Sequence, residues 1–156
     1  MERKREKVFE TNSSSTHSLV FVTNNDEYTS PSNKIVIQFA DTDSDMTYVT
    51  LKEKVSYLVS HIIRKYMYDS PDYYDLIEQV ENDYDFRRLQ RYVTEHFHKE
   101  ICFPKNYKGD IDEIVNINHQ LVEGNLDDVL SDIINEDRDY LEEVLSPNTI
   151  IRLGSD

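Results

Sequence analysis

Glycine is scarce in this chain, three residues in 156, against a usual share of about 7%. Neither G-x-x-x-x-G-K-[ST] nor G-x-G-x-x-G occurs, so the P-loop and Rossmann phosphate cradles are excluded. Cysteine is rarer still. Cys102 stands alone, no intrachain disulfide can form, and the composition suits a reducing compartment. Tryptophan is absent altogether. No run of apolar residues approaches a membrane span, and the basic start MERKREKVFE lacks the apolar core of a secretory signal. An intracellular, cytoplasmic protein is the expectation. Positive charge is also short, with 17 Lys and Arg against 31 Asp and Glu, a net of −14.

What is present is acidic, aromatic and unevenly arranged. Eleven Tyr and six Phe, with many Ile, Leu and Val, can supply a core and argue against wholesale disorder. The first nine residues lean basic, whereas 109–147 is crowded with carboxylates and holds Arg138 as its one basic residue. Such a surface repels nucleic-acid phosphates and attracts basic proteins. The same charge would also serve mere solubility.

Hydrophobic periodicity outlines the elements. Val8-Phe9 and Leu19–Thr23 read as strands, and so does KIVIQF at 34–39. Thr50 and Glu53 form a capping box ahead of Leu51, Val55, Leu58, Val59, Ile62, Ile63 and Tyr66, which predicts a helix over 51–67. Pro71 is placed as the first residue of a second helix running to Val80, and Asp85 as the cap of a third bearing Phe86, Leu89, Tyr92, Val93 and Phe97. ICF at 101–103 and DEIVNINHQLV at 112–122 read as strands. Leu126, Val129, Leu130, Ile133 and Ile134 form an apolar stripe opposite Asp127, Asp128 and Asp132. Leu141, Val144 and Leu145 continue helically, and NTIIRLG closes as a strand. The order is irregular, which favours α+β: a single acidic domain over 1–156, with a small mixed or antiparallel sheet and about four to five amphipathic helices.

Several constellations can be weighed for chemistry. Thr11 to Ser18, within FETNSSSTHSLVFV, is a polar stretch rich in hydroxyls held between two strands. It reads either as a turn satisfying its own backbone or as a polar cup built from Asn12, Ser13, Ser14, Ser15 and His17. Asp41, Asp43 and Asp45 start like a calcium loop, but Met46 and Lys52 occupy the positions that require Gly and Glu. In extended backbone these three carboxylates would form a row resembling phosphates, though a solvated acidic loop is the simpler reading. His96, His98 and Cys102 have zinc-ligand chemistry without a fourth ligand, so neither metal nor cofactor is expected. His61 is placed on a helix as partly buried and hydrogen-bonded, and Cys102 as a small buried side chain. Tyr66, Tyr68, Tyr73, Tyr74, Tyr84 and Tyr92, spread among Asp and Glu, are either half-buried packing or anchors of an acidic interface.

FETNSSSTHS, LKEKVSYLV (51–59), NINHQ (116–120) and LSPNTIIRLGSD (145–156) together resemble a family of phage and Firmicute proteins without an established activity. Its members open with F-E-T-N-S-S-S-x-H-S and carry an internal I-D-H-Q-S segment. The resemblance implies a phage origin and places His17 and His119, with Gln120, in one motif set. This chain has Asn118 and Leu121 where the family has Asp and Ser, and it lacks the family's Phe-Gly-Trp. Those departures favour a protein that binds without reacting. Two functions are therefore expected in order of preference. The first is an accessory protein that inhibits a basic host or defence protein, without contacting nucleic acid or membrane, through Asp41, Asp43, Asp45, Tyr73, Tyr74, Asp127, Asp128 and Asp132. The second is a small-ligand-binding protein or enzyme built on the Asn12–His17 loop and His119.

Overall fold

The computed structural model describes residues 2–9, 15–22, 27–39, 41–42, 47–117 and 138–155. Its organising element is α1 (Leu51–Arg64). Thr50 Oγ1 accepts from Glu53 N at 3.1 Å, while the Glu53 carboxylate accepts from Thr50 N at 3.0 Å, so the predicted capping box is complete. Every residue from Lys54 to Ile63 is buried. The apolar stripe was legible in advance, but the polar face opposite it is enclosed as well.

That enclosure requires partners for buried polar groups. Ser56 Oγ accepts from Gln38 N at 2.9 Å, and Lys54 Nζ donates to Ser146 O and Thr149 Oγ1, both at 2.9 Å. His61 is fully buried, not partly, with its ring edge-on to Tyr57 at 4.5 Å.

Around α1 lie α2 (Tyr73–Glu81), α3 (Tyr84–Phe97) and α4 (Arg138–Val144). The cap of α2 is Asp72, which accepts from Asp75 N at 2.8 Å. Pro71 therefore precedes the cap instead of opening the helix. The cap of α3 is Asp83, not Asp85: Asp83 Oδ1 accepts from Asp85 N and Phe86 N. The same carboxylate also holds Lys65 and the Tyr66 hydroxyl, tying the end of α1 to the start of α3. Leu76, Val80, Phe86, Leu89, Tyr92 and Val93 turn inward. His98 ends α3 in the left-handed region at φ 56°.

The strands are β1 (Glu2–Phe9), β2 (Ser15–Val22), β3 (Lys34–Val36), β4 (Asp41–Thr42), β5 (Thr47–Tyr48), β6 (Glu100–Cys102), β7 (Asn116–Ile117) and β8 (Thr149–Ser155). Four form an antiparallel sheet in the order β1-β2-β8-β5. Two parallel pairs, β3 with β6 and β4 with β7, complete an α+β architecture. Pairing beside β3 continues through Ile37 N to Cys102 O at 3.0 Å, with Ile35 and Ile37 buried and Val36 facing out. Of the strand expected over 112–122, Asn116–Ile117 is strand (β7), while its start is taken by a 3-10 turn at Ile111–Glu113, where Ile114 N bonds back to Ile111 O. Residues 118–122 and the stripe at 126–134 lie outside the described residues.

Candidate functional site

The first turn of α2 presents Tyr73 and Tyr74 in opposite senses. Consecutive helical positions point about 100° apart, so one ring can pack while its neighbour reaches solvent. Tyr73 packs. Its ring meets Phe39 edge-on at 6.2 Å and Tyr107 at 5.5 Å, while Phe39 and Tyr107 meet at 5.8 Å. Its hydroxyl donates to Pro104 O at 2.5 Å, and burial pushes its pKa up to about 12. Tyr74 touches the outer edge of this cluster at 6.3 Å and is 79% exposed.

Two open hollows flank the pair, and both include Tyr73 and Tyr74 in their walls. One, of about 640 Å³, is lined by Met67, Tyr68, Asp72, Tyr107, Asp110 and Asp112, with Lys108 among them. The other, of about 700 Å³, is lined by Ile77, Glu78, Glu81, Glu100 and Phe103, with Lys105 at its rim. All the carboxylates among these residues are exposed. Tyr107 registers their field: burial first, then Asp110, Glu113 and Asp112, raises its phenol. Gly109 permits the turn that carries these carboxylates, because a Cβ there would run into the Tyr107 hydroxyl.

This arrangement offers flat aromatic faces and carboxylate acceptors, which suit guanidinium and ammonium groups. It offers little for covalent chemistry. Cys102 is half-exposed, not buried as expected. Burial and then the Glu100 charge push its thiol pKa up, which disfavours the reactive thiolate.

The Tyr series divides. Tyr92 is buried, Tyr66 and Tyr73 are half-buried, and Tyr68, Tyr74 and Tyr84 are exposed. Sequence reasoning missed Tyr107, Asp110 and Asp112. Their one signal was the sparing glycine in YKGD (107–110). His96 stacks on Tyr92 at 4.0 Å with Nδ1 3.1 Å from Tyr92 O, whereas His98 is the left-handed cap of α3. Among the described residues, no three His, Cys, Asp or Glu gather as metal ligands.

Ser15 and His17 are strand residues. Ser15 pairs with Ser155, and His17 pairs with Phe9 on one side and Leu153 on the other. The hydroxyl-rich stretch thus enters β2 earlier than the apolar run indicated. Asp41 pairs with Asn116. Asn12, Ser13, Ser14, Asp43, Asp45, His119, Gln120, Asp127, Asp128 and Asp132 lie outside the described residues. Among the described residues, no helix is long and apolar enough to cross a membrane. No protein-family model, curated protein or solved structure matches the chain.

Proposed function

We propose that this chain is a phage-encoded accessory protein that binds and inhibits a basic host or defence protein in the bacterial cytoplasm. The binding surface is the acidic, Tyr-rich ground around α2. The observation that carries this reading is Tyr74, 79% exposed, standing between two hollows whose walls bear Asp72, Asp110 and Asp112 on one side and Glu78, Glu81 and Glu100 on the other. The walls are mostly acidic, with Lys108 and Lys105 as the exceptions, and exposed aromatic anchors set among charge are what protein interfaces use for affinity and steering. Exposed carboxylates are anionic as phosphates are, so a basic nucleic-acid-binding face of the partner is the natural target. The phage origin rests on the motif resemblance alone.

Capture from bacterial lysate at low and high salt, followed by reconstitution with the purified partner, tests the proposal. A stoichiometric partner released at high salt, and bound at least about tenfold more weakly by Tyr74→Ala, supports it. A partner indifferent to both salt and Tyr74 refutes it.

A further inference from the structure

Lysines are few in this acidic chain, yet three of them converge. Lys34 from β3, Lys52 from the first turn of α1 and Lys99 from the approach to β6 all line one hollow of about 450 Å³, walled by Tyr28, Pro31, Ile35 and Leu51. We infer that this hollow, which shares no residue with the Tyr74 site, binds a small organic anion: an apolar body carrying a carboxylate or phosphate group.

The charge is arranged for an incoming anion. Glu27 also lines the hollow, but among the described residues it forms no ion pair with any of the three lysines. Lys99 is the fixed member. It is 8% exposed, and Nζ donates to Ser30 O at 2.8 Å and to Ser32 O. Its ammonium is therefore held by carbonyl dipoles, without a counter-charge. A partly desolvated cation left in that condition gains strongly from an arriving anion. Lys34 and Lys52 are exposed and line the same hollow, so both ammonium groups are open to an oxyanion there.

The start of α1 adds the positive end of its dipole through Thr50, Leu51 and Lys52. The capping box and the bond from Leu51 N to Tyr28 O already engage N–H groups there, so lysines and not the helix end would read the ligand. The volume falls in the range of small-molecule sites, about 300–1,000 Å³. Pro31, exposed beside the nearly buried Tyr28, Ile35 and Leu51, gives the ligand's body an apolar contact, which a bare inorganic ion would leave unused.

Calorimetric titration of the purified chain with phenyl phosphate and with benzoate tests the inference, with phenol and inorganic phosphate as comparators. Saturable one-to-one binding of either aryl anion is expected, weakened at least about tenfold in the Lys34→Gln/Lys52→Gln variant. The same binding should be unchanged in Lys105→Gln/Lys108→Gln. The phosphate and carboxylate arms identify the acidic group. No saturation by about 10 mM, a generous limit for ligands of this size, would overturn the inference. So would equal binding by the two double variants, or inorganic phosphate binding as well as the aryl anions. Because Lys34 and Lys52 are exposed, unchanged far-UV circular dichroism should accompany the loss.

Discussion

Replacing Lys54 with Met should make the protein more stable, by an amount that depends on pH. Lys54 is 0% exposed, with Nζ bonded to Ser146 O and Thr149 Oγ1 and lying 4.8 Å from the centre of the Tyr28 ring. Burial lowers its pKa from 10.5 to about 7. A shift of that size corresponds to roughly 5 kcal/mol of penalty on the charged form, at about 1.4 kcal/mol per unit. Between pH 7 and 10.5 the unfolded chain holds a proton that the folded chain has released, so this group makes stability rise with pH there. Below pH 7 both states are protonated and the penalty is complete. Met would remove the charge and forfeit two hydrogen bonds. Ser146 O would still accept from Thr149 N, and Thr149 Oγ1 would still reach Glu143 O at 2.7 Å, so the loss is only about 1–2 kcal/mol. The balance is a gain of about 3 kcal/mol at pH 6, falling toward zero near pH 9. Urea unfolding of both proteins at the two pH values reads the difference directly. A gap that ignores pH, or a Met variant weaker at pH 6, would refute the reasoning.

Asp83→Asn should cost about 2–3 kcal/mol in urea unfolding, because one carboxylate caps α3 and accepts from Lys65 and Tyr66. It should also let the Tyr66 phenol, now pushed up to about 12 by burial and then by Asp83, titrate closer to its ordinary value in ultraviolet spectra. Gly109→Ala should displace Tyr107 from the Phe39–Tyr73 cluster and alter near-ultraviolet dichroism; an unchanged spectrum would show that the ring yields without moving its neighbours. Tyr74→Ala should change stability by less than about 0.5 kcal/mol in thermal melts, so that any loss of partner binding belongs to the surface.

Local rules carried much of the architecture. The Thr50–Glu53 box, the stripe of α1, the inward face of α3 and the closing strand are written in spacing that short-range physics can read. Two of the errors have a tertiary cause. Asp83 and Asp85 are equally good caps by type, and the choice falls to Asp83, which the Tyr66 hydroxyl also engages, while Asp85 takes the closer contact with Lys65 at 2.6 Å; both partners come from the end of α1. The enclosure of Lys54 and His61 depends on what packs over α1. At Ile111–Glu113 a 3-10 turn delays the expected strand to Asn116, because local bonding from Ile114 to Ile111 competes with cross-strand pairing. At the site, Tyr73 and Tyr74 were visible as anchors, but Tyr107 meets them only through the loop that follows β6.

The place of β8 has a consequence in time. It lies inside the sheet between β2 and β5, so β2 meets its long partner only after the chain through Thr149 has been made. At about 5–20 residues per second, translating from Val22 to Thr149 takes on the order of 6–25 s. Through that interval β2, with its Leu-Val-Phe-Val run, lacks the partner that satisfies its second edge in the complete sheet. Productive folding is therefore a race between the emergence of the last strand and the capture of that edge by another nascent chain, and slower translation or crowded expression tilts it toward aggregation.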